Sequence, residues 1–346
     1  MRYLARVLIL AGAILVSVAG MELGLRLVPA QIWMPALSSG PGIFPWIRYD
    51  PIAGYANREN FEHNALHINR FGLRGPDTTC SPDGKLRIVC MGDSRTFGIW
   101  KDGAGRRFDN SYPAYLQEIL AGTAEVLNAG VIGYTSPNGL AQLHSQLLTL
   151  HPSIIVVSYA VNDHSPARAP ELAPVEPPTG ASLQHLFDIS SRLELFRLAV
   201  TAYRRATTTS GNKVVNPALS LPKYERTLQR IVADARRNGI RVVFLTQALR
   251  PRSQQNVHMT DGELFLLGTP SLDRIYGLDA DYQKAMLAVA HQLDVPVVDG
   301  AAAVDRWQGE PLFGPDDLVH VNPRGARLLA EVVRDRLADL GWLPTR

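Results

Sequence analysis

Five short runs, Leu86–Met91, Ala124–Asn128, Ser153–Tyr159, Ile240–Thr246 and Val295–Asp299, are apolar along most of their length instead of at every second position. A strand with one wet face alternates, whereas a strand apolar throughout must be covered on both faces. Between or after these runs lie segments with helical periodicity: Ser111–Leu120, Asn138–Leu150, Tyr224–Asn238, Asp281–Leu293 and Pro323–Leu340. The last is the best marked, with Asn322 as a cap, Pro323 at the first helical position, and Leu328, Leu329, Val332, Val333 and Leu337 on one stripe. Buried strands alternating with amphipathic helices predict a mainly parallel sheet of about five strands with helices on both faces, a three-layer α/β/α domain. In such a sheet the carboxyl ends of all strands share one edge, which is where sites form.

The rest of the chain hangs on that frame. The regular pattern occupies 84–346, interrupted by insertions at 164–222 and 250–278 that leave strand ends where substrate loops and lids sit. The first opens on Pro166, Pro170, Pro174, Pro177 and Pro178, continues through a helical stretch at Leu193–Arg205, and includes Thr207–Gly211. Residues 29–83, rich in Pro, Gly, Asn and aromatics without a long period, read as a linker and an irregular or β-rich extension. Residues 1–28 read as an export signal. Arg2 and Arg6 precede an uncharged run from Val7 to Met21, and apolar character resumes after Glu22 at Leu23, Leu25, Leu27 and Val28. That continuation favours an uncleaved single-pass anchor in the inner membrane, with the remainder of the chain on the extracytoplasmic, periplasmic side. Small residues at Ser17 and Ala19 keep open the alternative of a cleaved signal and a secreted protein.

Composition removes several classes. A net charge of +3 on 346 residues, with no Lys/Arg-dense stretch, argues against a nucleic-acid partner. Two cysteines, Cys80 and Cys90, are too few for a disulfide framework, and Cys90 lies inside an apolar strand as a buried core residue would. His63 and His67 share one face of a strand-like stretch, but no third ligand follows at a metal-site spacing, so neither a metal nor another cofactor is expected. His144 and His151, on or after a helix, read as structural or exposed.

The chemistry-bearing residues cluster at strand exits. A serine hydroxyl is a poor nucleophile near neutral pH and needs a base, a group that orients the base, and donors for the developing oxyanion. Ser94 follows the first strand in a Gly-Asp-Ser turn. Gly130 and Gly133 follow the second, where backbone N–H groups can approach a ligand closely. Asn162 follows the third with a side-chain donor, and Asp317 and His320 follow the fifth, just before the last helix. Each signal is common by itself; their joint occurrence in this order at strand ends points to a catalytic site.

These four ordered blocks resemble the SGNH (GDSL-like) hydrolase family over roughly Lys85 to Leu340. The anchored N-terminus and the segment Asn69–Arg74 further resemble an exported, membrane-attached bacterial subgroup. The resemblance implies a flavodoxin-like fold and acyl-ester chemistry, with Ser94 as nucleophile and backbone oxyanion donor. It implies Gly133 and Asn162 as further oxyanion donors, His320 as general base and Asp317 as its orienting carboxylate. Two positions depart from the family pattern: Ala160 replaces a glycine, and Arg95 stands after the nucleophile where an apolar residue is common. Facing the cleft, Arg95 would bind an anionic substrate; otherwise it is solvated or paired with a carboxylate. Trp100 and Trp307 are either sugar-stacking or packing aromatics. The leading expectation is a serine esterase acting on an O-acyl ester, such as an acetyl group on a carbohydrate or cell-surface polysaccharide. The same residues would serve a polysaccharide O-acetyltransferase or a lipid esterase or lysophospholipase, and an anchored glycan-binding module is the non-enzymatic alternative.

Overall fold

The five apolar runs pair into one parallel sheet, seen in a computed structural model of the chain. The described residues are 2–28, 44–102, 105–108, 111–165, 173–207, 219–252, 271–315 and 317–344. Helix α1 (Arg2–Leu27) comes first, then two antiparallel hairpins, β1 (Ile47–Asp50) with β2 (Gly54–Asn57) and β3 (Phe61–His63) with β4 (Leu66–Ile68). Strand β5 (Leu86–Gly92) leads through the one-turn helix α2 (Ser94–Phe97) into a hairpin, β6 (Trp100–Lys101) with β7 (Arg106–Arg107). Helix α3 (Tyr112–Ile119), β8 (Ala124–Asn128), α4 (Ser136–Ser145) and β9 (Ile154–Ser158) follow. The first insertion supplies α5 (Ala181–Ser190) and α6 (Glu194–Thr207). The chain then continues through α7 (Leu221–Arg237), β10 (Arg241–Thr246), α8 (Leu272–Gln292), β11 (Val297–Asp299), α9 (Gly300–Asp305) and α10 (Pro323–Asp339).

The sheet order is β11-β10-β9-β5-β8, every pair parallel. Counted along the chain and read from the β8 edge, this is the doubly wound 2-1-3-4-5 order, whose reversal lies between β5 and β9. Alternate strand residues divide between two cores. Val89, Met91, Ile155, Val157, Val242 and Phe244 pack with α4, α7 and α8, while Ile88, Cys90, Val156, Val243 and Leu245 pack with α3 and α10. Both faces are therefore dry, which is why these strands carry no polar alternation.

Element ends shift where local chemistry overrides the stripe. Helix α4 starts at Ser136, earlier than its periodicity suggests, because Thr135 and Asn138 form a capping box across Pro137. The predicted continuation to Leu150 becomes a separate 3₁₀ turn, Leu147–Leu150. Helix α8 begins at Leu272, its first turn facing a satellite cluster through Ile275, so the stripe of its main body does not announce it. The predicted proline-rich opening (in part, 166–172), the Thr/Ser/Gly stretch (208–211) and much of the second insertion (253–270) lie outside the described residues, as do 29–43. From Phe44 onward the extension is built of the two short hairpins, and Trp46, Ile47, Tyr49, Ile52, Tyr55, Ile68 and Leu73 are buried in the same core as Met91 and Phe97.

Candidate active site

Strand β5 ends at Gly92, and the chain turns at once into α2. Asp93 caps it, its Oδ1 accepting from the Arg95 N–H at 2.8 Å, and Ser94 stands at the first helical position. The turn is held close to the next strand's exit by Gly130, where even an alanine Cβ would fall 2.3 Å from the Phe97 nitrogen. Asn128, the last residue of β8, clasps both sides. Its Nδ2 donates to the carbonyls of Thr96 at 3.0 Å and Phe97 at 3.3 Å, while its Oδ1 accepts from the Gly130 N–H at 3.0 Å. From the N-terminal segment, Arg74 donates to the carbonyls of Phe97, Gly98 and Phe108, satisfying the buried C-terminal end of the short helix.

The Asp317–His320 segment meets this turn from the opposite end of the sheet. Asp317 forms an Asx turn: its Oδ1 accepts from the N–H groups of Val319 at 3.0 Å and His320 at 2.9 Å. The same Oδ1 lies 3.0 Å from His320 Nδ1, and His320 Nε2 lies 2.8 Å from Ser94 Oγ. A continuous hydrogen-bonded chain thus runs Asp317–His320–Ser94 across residues far apart in sequence. The loop is pinned beneath by Arg250, which donates to the carbonyls of Gly314 at 2.9 Å and Pro315 at 2.7 Å. Burial alone would push the Asp317 carboxyl up, but His320 and the two backbone donors hold it below the usual carboxylate range. An ionised Asp317 keeps the hydrogen on Nδ1 and leaves the Nε2 lone pair facing the Ser94 hydroxyl.

Gly133 and Asn162 lie on the same edge in the loops after β8 and β9. Gly133 has φ 80°, a left-handed conformation that glycine adopts without strain. The Val131 N–H donates to the Gly92 carbonyl at 3.1 Å, setting this loop beside the Ser94 turn. Asn162 Nδ2 donates to the Tyr134 carbonyl at 3.0 Å, which leaves its second N–H for a further acceptor. Gly130, by contrast, has its N–H committed to Asn128.

Asp163 extends the same bridge. Its Oδ1 accepts from the Ser136 N–H at 2.9 Å and hydroxyl at 2.7 Å, capping α4. Burial pushes its carboxyl up to about 7, opposed by the Ser136 hydrogen bonds and reinforced by the negative charge of Asp93. A carboxyl raised on folding holds a proton that the unfolded chain has already released. Stability therefore falls as pH rises between the ordinary carboxylate value and about 7 and levels off above it. For a shift of this size the loss is on the order of 4 kcal/mol. Asp163→Asn retains the acceptor for Ser136, so urea-unfolding midpoints measured from about pH 4.5 to 8 should show the variant gaining on the native protein as pH rises. A midpoint difference independent of pH would contradict this assignment.

Arg95 does not reach the cleft, and the expectation of an anionic subsite there is replaced by the pairing alternative. It is buried, with Nη2 3.3 Å from Asp93 Oδ2 and Nη1 donating to the Gln247 carbonyl at 3.3 Å, so it ties the exits of β5 and β10 from below. Trp100 is half-buried against Gly314 in the loop that leads to Asp317, and Trp307 packs on a satellite cluster, its Nε1 donating to the Glu310 carbonyl at 2.9 Å. His63 and His67 sit in the β3–β4 hairpin, His67 paired with Glu62 at 2.8 Å. Among the described residues no group of three His, Cys, Asp or Glu side chains is arranged to hold a metal ion. His144 is buried between two carboxylates, Asp188 at 2.6 Å and Asp234 at 2.8 Å.

Asn128, Arg74 and Asp93 build the site without a sequence signature for that role: all three lie within stretches singled out for other reasons, and a brace to a backbone carbonyl or N–H leaves no pattern of its own.

The model of the GDSL-like lipase/acylhydrolase family matches residues 90–328, more than half of the chain. Among solved structures, a lipase/acylhydrolase from Enterococcus faecalis is similar at 17% identity, covering 75% of this chain and 98% of that one, with a TM-score of 0.46. An acetylxylan esterase from Geobacillus stearothermophilus is similar at 17% identity, covering 76% and 98%, with a TM-score of 0.45. A protein of the G-D-S-L family from Desulfitobacterium hafniense, described as lipolytic, is similar at 15% identity, covering 73% and 100%, with a TM-score of 0.44. No curated protein matches the chain.

Proposed function

The chain belongs to the GDSL-like lipase/acylhydrolase family and is by that membership an ester-hydrolysing enzyme, and on that premise we propose that it transfers an acyl group first to Ser94 and then to water. The observation that carries the reading is the chain of contacts from Asp317 to His320 at 3.0 Å and from His320 to Ser94 at 2.8 Å. In the first step Ser94 Oγ attacks the ester carbonyl while His320 Nε2 takes its proton, and Asp317 stabilises the resulting imidazolium. The oxyanion is met by the backbone N–H groups of Ser94 and Gly133 and by the free N–H of Asn162 Nδ2. His320 then protonates the leaving alcohol, and the acyl-enzyme is hydrolysed by a water that His320 deprotonates in turn.

The substrate we favour is a short acyl ester on a carbohydrate, with the Trp100 ring beside the loop of Asp317 as a face for a sugar. Helix α1 supports an extracytoplasmic, membrane-attached enzyme: its Ile9–Leu27 window has a mean hydropathy of 1.7 and is not buried against the rest of the protein. The 19 residues of that window, at about 1.5 Å each, match the ~30 Å hydrocarbon core of a bilayer. A panel of acetylated oligosaccharides, short- and long-chain nitrophenyl esters and lysophospholipids tests the reading, with products identified by mass spectrometry. Highest kcat/KM on acetylated sugars with release of free acetate supports it. Preference for long acyl chains points to lipid esters, and acetyl transfer onto an added glycan in place of acetate release points to a transferase.

A further inference from the structure

Helix α5 is inverted relative to an ordinary surface helix. Its inward side carries Gln184 and Asp188 beside Phe187, and these polar groups are consumed by a buried network. Gln184 Nε2 donates to Asp234 Oδ2 at 2.6 Å, and His144 bridges Asp188 at 2.6 Å and Asp234 at 2.8 Å. The outward side carries Leu183, Leu186 and Ile189 at three-residue spacing, 59%, 61% and 47% exposed, and Leu193 continues the stripe beyond the helix end. Single exposed leucines are ordinary, but a stripe of them opposite a polar inner face is what an apolar surrounding selects.

The neighbouring contacts say which surrounding. The turn after α5 leads directly to α6, and the first N–H groups of α6, those of Glu194 and Leu195, donate to the Glu22 carboxylate of α1 at 3.1 and 3.0 Å. Arg26 of α1 donates to the Arg192 carbonyl in that same turn at 3.5 Å. The end of the apolar α1 window and the apolar stripe of α5 thus meet at one turn, and a bilayer entered by α1 reaches α5 without a gap. Arg192, exposed at this junction, complements anionic headgroups, while Arg26 is paired with Glu22 at 2.8 Å.

We propose that α5 lies in the headgroup–acyl boundary of the bilayer that α1 spans, its leucine stripe immersed, so that the catalytic domain is held against the membrane surface at a second point. The proposal rests on the anchor reading given above. Its test uses the full chain carrying Cys80→Ser, since Cys80 is exposed and Cys90 is buried. Single cysteines at Leu186→Cys, at Val16→Cys in α1 and at Asp335→Cys on α10 carry an environment-sensitive fluorophore. The protein is placed in vesicles of equal parts phosphatidylcholine and phosphatidylglycerol containing nitroxide lipids labelled near the headgroup or near the chain end. Position 186 should be quenched several-fold more than position 335 by the shallow nitroxide, position 16 should be quenched by the deep one, and ester turnover should persist in each labelled protein. Quenching at 16 with none at 186 overturns the proposal and leaves the anchor standing. Absence of quenching at 16 overturns both. Shielding of 186 from aqueous iodide without quenching by either lipid means a protein covers the stripe and also overturns it.

Discussion

Ser94→Ala is expected to lower turnover of a short-chain nitrophenyl ester by roughly 10⁴- to 10⁶-fold and to abolish labelling by a fluorophosphonate, with the folded state retained. The side chain is only 7% exposed and its hydroxyl is engaged by His320 at 2.8 Å, so alanine removes one oxygen and leaves no buried charge behind. The turn itself is set by Asp93, Asn128 and Arg74 and does not depend on the hydroxyl. A thermal midpoint within a few degrees of the native protein is therefore part of the expectation. The proposed oxyanion donors persist in the variant and should sustain a small residual rate over water. Undiminished labelling or turnover in Ser94→Ala would remove Ser94 from the mechanism.

Asp317→Asn is expected to reduce kcat on the order of 10³- to 10⁴-fold with little change in KM. The asparagine oxygen can still accept from the Val319 and His320 N–H groups, so the Asx turn has the means to survive. What changes is the partner of His320. A carboxylate accepts only, whereas an amide that turns its NH₂ toward Nδ1 demands an acceptor there and transfers the ring hydrogen to Nε2. A protonated Nε2 cannot take the Ser94 proton. The native carboxyl, held below its ordinary range by His320 and the backbone donors, stabilises the fold above the unfolded-chain value, and that contribution is lost as pH falls through the folded value. Asp317→Asn should therefore also show a weaker fall in stability on acidification. Fluorophosphonate labelling rates across pH, alongside acid-denaturation midpoints, check both effects; a variant retaining native kcat would sink the orienting role.

The sheet was readable in the sequence because covering both faces forces apolar residues at consecutive positions, a constraint local to each strand. Ser94 and Asn162 could be singled out for a related reason: each lies just past a strand, and parallel strands bring such points together whatever their separation along the chain, whereas Asp317 and His320 follow β11 only after α9 and a loop and are marked instead by the capped helix that comes next. Arg95 marks the limit. Whether an arginine after a turn faces solvent or folds under it depends on Asp93 and on the Gln247 carbonyl two strands away, and only the assembled sheet supplies the latter. The inversion of α5 was equally hidden, since the groups that draw its polar side inward, His144 and Asp234, belong to two other helices. The segment from Phe44 to Leu73 looked irregular because each of its short hairpins lends only a few side chains to a core whose pattern is carried elsewhere.

Arg74 gives that last segment a meaning of its own. The carbonyls it satisfies close the turn bearing Ser94, and Trp46 stacks near Phe97 of that turn with ring centroids 6.4 Å apart. A gene fragment begun at the first strand of the sheet would encode every residue of the proposed chemistry and still lack the brace that aims it. Arg74 and Trp46 both lie upstream of residue 90, where the family match begins.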